Sequence, residues 1–289
     1  MVAEPSRTAA RILRALPRER ITRLVGRVTQ ADFPQRFLRP VLAAYTRVYD
    51  VNLAEAVIPP TGFASFNDFF TRRLHPGVHT IDLDPTVAVS PADGRLDDDG
   101  PIDADQQFTV KGQPYDAAAL LGSESDALGF ARGHYAVVYL SPRDYHRVHT
   151  PLAGTVTHVR HIPGTLFPVN AVGVRHVPFL FARNERVVVH LATAHGPMAI
   201  VLVGAFIVGK ISLAFDGPSR PPHGGPIAER RYPPGEGPVL ARGAEVGAFL
   251  LGSTVVVLLP PGTRPWTRVS ETVGRPVRMG QAMARRSEV

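Results

Sequence analysis

Two histidines and a serine are the residues of this chain whose surroundings most suggest chemistry. His146 and His149 stand three positions apart in the run Asp-Tyr-His-Arg-Val-His, and imidazole transfers protons near neutral pH. Ser253 follows Gly252 and precedes an apolar run, and a serine hydroxyl becomes a nucleophile when a base takes its proton. Asp93 stands in a Pro-Ala-Asp-Gly run, where Asp-Gly after a strand-like run is most often a turn. Taken singly, each also fits a turn, a strand entry or a buried polar group.

The composition excludes several kinds of chemistry and several classes of protein. The 289 residues include no cysteine, which excludes disulfides, thiolate catalysis and cysteine-ligated metals. The paired histidines could ligate a metal, but no third ligand stands near them in the sequence, so we predict no metal site. Apolar residues make up 44% of the chain, which indicates a folded protein rather than a disordered one. No uncharged run reaches the roughly 18–20 apolar residues that a spanning helix needs.

The net charge of +7 is concentrated near the N-terminus. Residues 7–27 hold seven arginines and one glutamate, so the rest of the chain is close to neutral. This distribution argues against a broad nucleic-acid-binding face and favours a local basic patch. The surrounding stretch, Thr8–Val28, predicts an amphipathic helix that is interrupted at Pro17. From these residues alone it could lie in a membrane interface, pack on the core or act as a transit peptide.

The elements that must position the candidate residues change character near Pro85. Before it, apolar residues at helical spacing predict a helix over residues 37–49 and the start of a short one at Ser65–Phe70. After it, no clear helix is predicted beyond residue 130, and Leu213–Leu240, rich in proline and glycine, predicts a long irregular loop. Short runs rich in valine and isoleucine predict strands: His134–Leu140, Thr155–Ile162, Arg186–Ala192, Met198–Val208 and Thr254–Leu259. The predicted fold class is α+β, with a helical region at 1–84 and a mainly antiparallel β body at 85–289.

Taken in order, the candidate runs resemble one known family, phosphatidylserine decarboxylase in its bacterial-type proenzyme form. The resemblance extends from about Ala9 to Met283, and the uninterrupted run around the two histidines is its most specific part. The similar runs are FNDFF at 66–70, PADG at 91–94, LSPRDYHRVHTP at 140–151, PG-LF-VN at 163–170, LFARNERV at 180–187, GPM and VGA within 196–205, LGST at 251–254 and RMGQ at 278–281.

The resemblance implies that the chain cleaves itself. Ser253 Oγ would attack the carbonyl carbon of Gly252 and convert the amide into an ester. Elimination would then separate a large chain, 1–252, from a small chain, 253–289, which remain together as a heterodimer, and hydrolysis of the dehydroalanine left at residue 253 would release ammonia. Ser253 would become a pyruvoyl group, the cofactor of the enzyme. The family's pattern makes His149 the base for this serine and Asp93 the group that orients the base.

The same resemblance implies the reaction. The pyruvoyl group forms a Schiff base with the amine of phosphatidylserine and accepts the electrons that the departing CO₂ leaves behind, which yields phosphatidylethanolamine. His146 matches the histidine that donates a proton to the resulting carbanion. Phe167, Asn170 and Arg183 lie in matched loops and are predicted to bind substrate.

The expected substrate also implies where the protein works. Phosphatidylserine lies in an anionic membrane surface, so the basic N-terminal region is expected to dock there without spanning it. The expected location is peripheral, on the cytoplasmic face of the cell membrane, in phospholipid biosynthesis. No nucleic acid is expected as a partner, and further dimerisation of the heterodimer is left open.

Two other functions compete with this interpretation. The first is a lipid hydrolase that uses Ser253, His149 and Asp93 as a durable triad, which predicts an intact chain with a free serine hydroxyl. The second is a non-catalytic lipid-binding β module in which the motifs are turns. Neither explains the ordered set of motifs.

Overall fold

A computed structural model describes residues 25–205, 210–222, 224–250, 253–269 and 273–287. Its class is α+β, as predicted. The helices are α1 Gln35–Tyr49, α2 Phe66–Phe70, α3 Ala117–Leu121, α4 Glu124–Ala127, α5 Ala171–His176 and α6 Leu180–Arg183, with a 3₁₀ turn at Leu128–Phe130. The strands are β1 Val87–Val89, β2 Gly94–Pro101, β3 Gln107–Val110, β4 Gln113–Asp116, β5 His134–Leu140, β6 Arg147–His149, β7 Gly154–Ile162, β8 Arg186–Thr193, β9 Gly196–Val203, β10 Ile211–Leu213, β11 Ala228–Arg231, β12 Val239–Leu240, β13 Glu245–Phe249, β14 Ser253–Leu259, β15 Trp266–Arg268, β16 Pro276–Val277 and β17 Ala282–Arg286.

The N-terminal helices form where the periodicity predicted them. Helix α1 buries Leu38 and Leu42 on its inner face and ends at Asp50, which adopts the left-handed conformation. Helix α2 begins at Ser65, whose side chain accepts a hydrogen bond from the Asp68 amide and so caps the first turn. Residues 25–30 are also helical, and the rest of the predicted arginine-rich helix lies outside the described residues.

The largest sheet carries the predicted cleavage residue at its centre. Its strand order is β11-β7-β8-β9-β14-β5-β2-β16, all antiparallel, with β12 also paired to β7. Strand β14 is buried along its length and has β9 and β5 as neighbours. A strand covered on both faces reads as a continuous apolar run, and Val255–Leu259 is one. The register places Ser253 opposite Leu140, at the end of β5.

A smaller sheet of order β10-β13-β6 brings the paired histidines to the same place. In it, β6 ends at His149, whose partner across the ladder is Glu245 of β13. The last residue of β13, Phe249, donates its amide hydrogen bond to the carbonyl of His146 at 3.0 Å. Only a short connection separates β13 from Ser253, so this sheet brings the His146 backbone to the strand end that precedes β14. A β1-β17-β15 sheet and a β3–β4 hairpin complete the described strands.

Two hydrophobic clusters underlie the helical region and the β body. The smaller one contains the inner face of α1 together with Phe63, Phe69 and Phe70, and the larger one fills the sheets. They meet around the loop after β5, where the Tyr45 hydroxyl donates to the Pro142 carbonyl at 3.1 Å. The division at residues 84 and 85 stays a prediction. Within the described ranges, no helix has the length and apolar character needed to cross a membrane.

Some predicted boundaries were wrong. Strand β9 ends at Val203 rather than Val208, and residues 206–209 lie outside the described part of the chain. The proline-rich stretch 213–240 contains β11 and β12, which pair with the edge of β7 through their backbones and therefore need no apolar pattern. Helices α5 and α6 interrupt a region expected to be loop. Asn170 starts α5 by accepting a hydrogen bond from the Gly173 amide at 3.2 Å.

Candidate active site

The loop between β5 and β6 is held in one shape by its own polar residues. The Asp144 carboxylate accepts hydrogen bonds from both the amide and the hydroxyl of Ser141, each at 2.7 Å. Burial raises the pKa of Asp144, and these two donors oppose that rise. Arg72, just after α2, donates to the Arg143 carbonyl at 3.0 Å. The loop is thereby fixed against the helical region.

The PADG run places Asp93 close to the second histidine. The amide of His149 donates to the carbonyl of Pro91 at 2.8 Å, so the two segments run side by side. Gly94 is required at the next position, because a Cβ there would lie 2.3 Å from the Tyr139 carbonyl oxygen. The Asp93 Oδ1 accepts from His79 Nε2 at 2.7 Å and from the Met279 amide at 2.8 Å.

His149 is held as a neutral base with its lone pair engaged by a hydroxyl. Its Nδ1 lies 2.8 Å from the Gly243 carbonyl, which can only accept, so Nδ1 carries the hydrogen. Its Nε2 therefore accepts from the Tyr145 hydroxyl at 3.1 Å. Burial lowers the pKa of His149, while the nearby charges of Glu245 and Asp93 favour its protonated form. The result is an oriented imidazole that can take up a proton.

His146 is completely buried and has an open nitrogen. Its Nδ1 donates to the Asp144 carbonyl at 2.8 Å, and its ring lies against the Phe70 ring with centroids 3.9 Å apart. Its Nε2 is buried with no hydrogen-bond partner among the described residues. Burial lowers the pKa of His146 to about 3, so it is neutral at neutral pH. A buried polar atom without a partner is uncommon and points to a functional role.

Ser253 also has a hydroxyl that is buried without a hydrogen-bond partner among the described residues. Its side chain has no exposed surface, and its Oγ finds no hydrogen-bond partner in the part of the chain that the structure describes. The hydroxyl group is thus shielded from water at the first residue of a rigid central strand. Gly252, the residue whose carbonyl it would attack, lies outside the described residues.

The structure therefore gathers the predicted triad at adjoining strand ends without joining its side chains. Among the described residues, no hydrogen bond connects Asp93 with His149 or either of them with Ser253. Instead Asp93 pairs with His79, and His149 pairs with Tyr145. The assigned roles of these residues stay predictions.

Two cavities share Tyr139 in their lining. The first, which we call the polar cavity, has a volume of about 430 Å³ and is lined by charged side chains of both signs, which are Arg72, Arg95, Arg143, Arg278, Asp50, Glu55, Asp93 and Asp144. The second, of about 380 Å³, is mainly apolar and is lined by Tyr45, Phe66, Phe70, Leu140, Val169 and Asn170 among others. Leu140 is the register partner of Ser253, and Phe70 lies against His146, so the apolar cavity borders the candidate catalytic residues.

The three predicted substrate-binding residues have different surroundings. Asn170 lines the apolar cavity. Phe167 is buried, and the Arg183 guanidinium carbon lies 5.2 Å from the centre of its ring. Asn184 shapes this loop by bonding to both the amide and the carbonyl of Phe167. Their part in substrate binding stays a prediction.

Three residues of the site were not predicted from the sequence. Arg72 and Tyr145 stand beside or within the matched motifs, so their positions offered a signal that single-residue reasoning did not use. His79 stands in a stretch with no pattern, and only the folded chain brings it to Asp93.

Another histidine group lies apart from this site. Asp126 is bonded by His158 Nε2 at 3.0 Å and by the guanidinium of Arg160, and its carboxylate lies 3.7 Å from His190 Nε2. The two imidazole rings stack with centroids 4.0 Å apart. Because β9 separates β8 from β14, this group is not part of the candidate site.

Comparison with known proteins defines the class to which this fold and site belong. The family profile described as phosphatidylserine decarboxylase matches residues 66–285. A phosphatidylserine decarboxylase proenzyme of Stenotrophomonas maltophilia is 45% identical over 272 residues, which cover 94% of this chain and 96% of that protein. The proenzyme of Bordetella pertussis is 45% identical and covers 93% of this chain and 91% of its own length. That of Xanthomonas euvesicatoria is 44% identical, covering 94% and 96%.

The chain belongs to the phosphatidylserine decarboxylase family. The resemblance expected from its motifs is thereby confirmed.

Proposed function

We propose that this chain, as a family member, decarboxylates phosphatidylserine to phosphatidylethanolamine after converting its own Ser253 into a pyruvoyl group. The activity is that of a carboxy-lyase, made from a proenzyme, in phospholipid biosynthesis. The position of Ser253 carries the finer part of the proposal. It is buried, has no partner for its hydroxyl among the described residues, and begins a strand inside the family match.

The surroundings of Ser253 suit a hydroxyl that reacts with its own chain. A serine Oγ reaches the carbonyl carbon of the preceding residue within one peptide unit, so no outside substrate needs to enter. No described residue bonds to the hydroxyl, so the hydroxyl can turn toward that carbonyl. Gly252 supplies the smallest possible neighbour for the attack.

The bases available for this step are the neutral imidazoles. The Gly243 carbonyl fixes His149 in the tautomer with the hydrogen on Nδ1. Its Nε2 can therefore give up the hydrogen bond from the Tyr145 hydroxyl and accept a proton instead. Asp93 favours the protonated imidazole through its charge, while His79 and the Met279 amide hold its carboxylate in place. We assign self-cleavage to Asp93, His149 and Ser253.

Decarboxylation needs an electron sink and a proton donor. A pyruvoyl group supplies the carbonyl chemistry that withdraws electrons from the amino acid head group. We assign the proton to His146, whose open Nε2 can take it up and return it inside a site that excludes water. The large chain, 1–252, and the small chain, 253–289, then act as one heterodimer, because β14 lies between β5 and β9.

The lipid hydrolase is the weaker proposal. It uses the same serine, histidine and aspartate, but it gives no reason for the proenzyme form that the names of the similar proteins state.

The experiment that tests the function compares two neighbouring hydroxyls. We expect Ser253→Ala to remain a single chain and to release no CO₂ from phosphatidylserine vesicles, because the precursor of the carbonyl is gone. Thr254→Val is the matched control, since Thr254 is also buried with an unpartnered hydroxyl. It should cleave itself and decarboxylate. Activity in Ser253→Ala would contradict the proposal.

We further propose that the enzyme works as a peripheral protein on the cytoplasmic face of the cell membrane. Helix α1 supports this, because its outer face leaves Phe37, Val41 and Val48 between 54% and 75% exposed, next to several arginines. Exposed apolar side chains beside basic ones suit the boundary between head groups and acyl chains. The arginines at 7–27 would add attraction to anionic lipid, on the order of 1 kcal/mol each at low screening.

Vesicle binding tests this membrane surface. We expect replacement of Phe37, Val41 and Val48 by serine to weaken co-sedimentation with phosphatidylserine-rich vesicles at any salt concentration. Changing four arginines within residues 7–27 to glutamine should weaken it mainly at low salt, because salt screens the attraction. Both variants should still cleave themselves. Leu128→Ser, at an exposed position of the β body, is the control. Binding equal to wild type in both variants would contradict the proposed membrane surface.

A further inference from the structure

Arg72 is a buried cation with unused hydrogen-bond donors. Its side chain is in the buried class at 5% exposure, and its Nη2 donates to the carbonyls of Arg143 at 3.0 Å and Asp144 at 3.5 Å. Its Nε and Nη1 are also buried, yet neither finds an acceptor in the described part of the chain. Three N–H groups, one on Nε and two on Nη1, are therefore left without an acceptor in the described part of the chain.

A buried guanidinium with unmatched donors lowers the stability of the fold unless a ligand supplies the missing acceptors. Burial lowers the pKa of Arg72, and the carboxylates of Asp144 and Asp93 favour its charged form through space. Neither carboxylate forms an ion pair with Arg72. A buried charge whose donors are unmatched destabilises a protein, so such a group is retained where a ligand supplies the missing oxygens.

The position of Arg72 indicates which ligand. It lines the polar cavity with Arg95, Arg143 and Arg278, and the same cavity is lined by an equal number of carboxylates. Arg95 pairs with Asp97, Arg143 with Asp144 and Arg278 with Glu55, so Arg72 is the lining arginine without a carboxylate partner among the described residues. It stands two residues after Phe70, whose ring covers His146. An anion in the polar cavity could therefore pair with Arg72, and the apolar cavity, which shares Tyr139 in its lining, suits the remainder of a lipid.

We propose that Arg72 binds the phosphodiester of the lipid head group through Nε and Nη1, an inference that rests on the proposed function. Phosphatidylserine carries two anions in its head group, the phosphodiester and the carboxylate. The carboxylate loses its charge as CO₂ departs, so a strong ion pair with it would stabilise the ground state and slow the reaction. The phosphodiester keeps its charge throughout, and charge-assisted hydrogen bonds to it hold the lipid without that penalty.

Binding of the product lipid shows which of the two anions Arg72 contacts, because phosphatidylethanolamine has the phosphodiester but lacks the carboxylate. Binding of monomeric dihexanoyl phosphatidylethanolamine would be measured by calorimetry for wild type, Arg72→Gln and Arg72→Lys. Arg73→Gln is the matched control, since that neighbouring arginine is exposed. We expect Arg72→Gln to raise the dissociation constant at least about tenfold, as expected for losing a hydrogen bond to a charged group, and Arg73→Gln to leave it unchanged. Arg72→Lys should fall between them, and it carries the test if Arg72→Gln does not fold.

Two further readouts decide between explanations. Dihexanoylglycerol, which has no phosphate, should bind wild type and Arg72→Gln equally; an equal loss for both lipids would make Arg72 only a tether of the loop and overturn the proposal. A change in KM for dihexanoyl phosphatidylserine without a change in product binding would assign Arg72 to the carboxylate and also overturn it. Failure of the proposed function is distinct, since it would appear as wild-type protein that neither cleaves itself nor releases CO₂.

Discussion

Replacement of His149 by alanine is expected to prevent the chain from cleaving itself. The imidazole is the oriented base next to the PADG segment, and a positioned base contributes about 10²–10⁴-fold to a proton transfer. Asp93→Asn should slow cleavage for a related reason, because the charge that favours protonated His149 is removed while the side chain keeps its size. The measurement is the fraction of intact chain over time on a denaturing gel.

The control for this experiment is His75→Ala, because His75 is an exposed histidine that belongs to the same predicted large chain. It should cleave at the wild-type rate. Wild-type cleavage in His149→Ala would contradict the assignment. It would move the role of base to His146, whose Nε2 is open and whose backbone bonds to the strand end just before the cleavage site.

Replacement of His146 by alanine is expected to separate the two reactions. The variant should cleave itself, because the assigned triad is intact, but it should release CO₂ about 10²–10⁴-fold more slowly than wild type, because the proton donor is missing. The pKa of about 3 places the neutral imidazole in the resting site, so the proton must be taken up during the reaction rather than stored. Rates of cleavage and of CO₂ release should both be measured on the same preparation. Full activity of His146→Ala on phosphatidylserine would show that this role is wrong.

The strands were the most predictable part of the fold. His134–Leu140 was predicted with the bounds that the structure gives, because a short apolar run of valines and tyrosines between Gly133 and the Ser-Pro turn is typical of a strand. Strand β14 was predicted to begin at Thr254, and it begins one residue earlier because Ser253 already pairs with Leu140. The edge strand Ala228–Arg231 carried no signal. Its residues are polar, and it forms only because the edge of β7 offers free backbone groups.

The candidate site was predictable in its motifs and not in its contacts. The run around His146 and His149, the PADG turn and the Gly-Ser step all drew attention to the residues that the fold gathers. The pairing of Asp93 with His79 could not be foreseen, because it depends on a loop without pattern folding back across the sheet. The same holds for the Tyr145 hydroxyl on His149 and for the unpartnered donors of Arg72, which are consequences of burial rather than of spacing.

The mass spectrum of the purified wild-type protein tests the central claim most directly. The account predicts two fragments, of 252 and 37 residues, that separate between Gly252 and Ser253. The small fragment should be lighter by one ammonia than the same peptide with an N-terminal serine, and borohydride should add two hydrogens to it. A single chain of full mass that nevertheless decarboxylates phosphatidylserine at full rate would contradict the account.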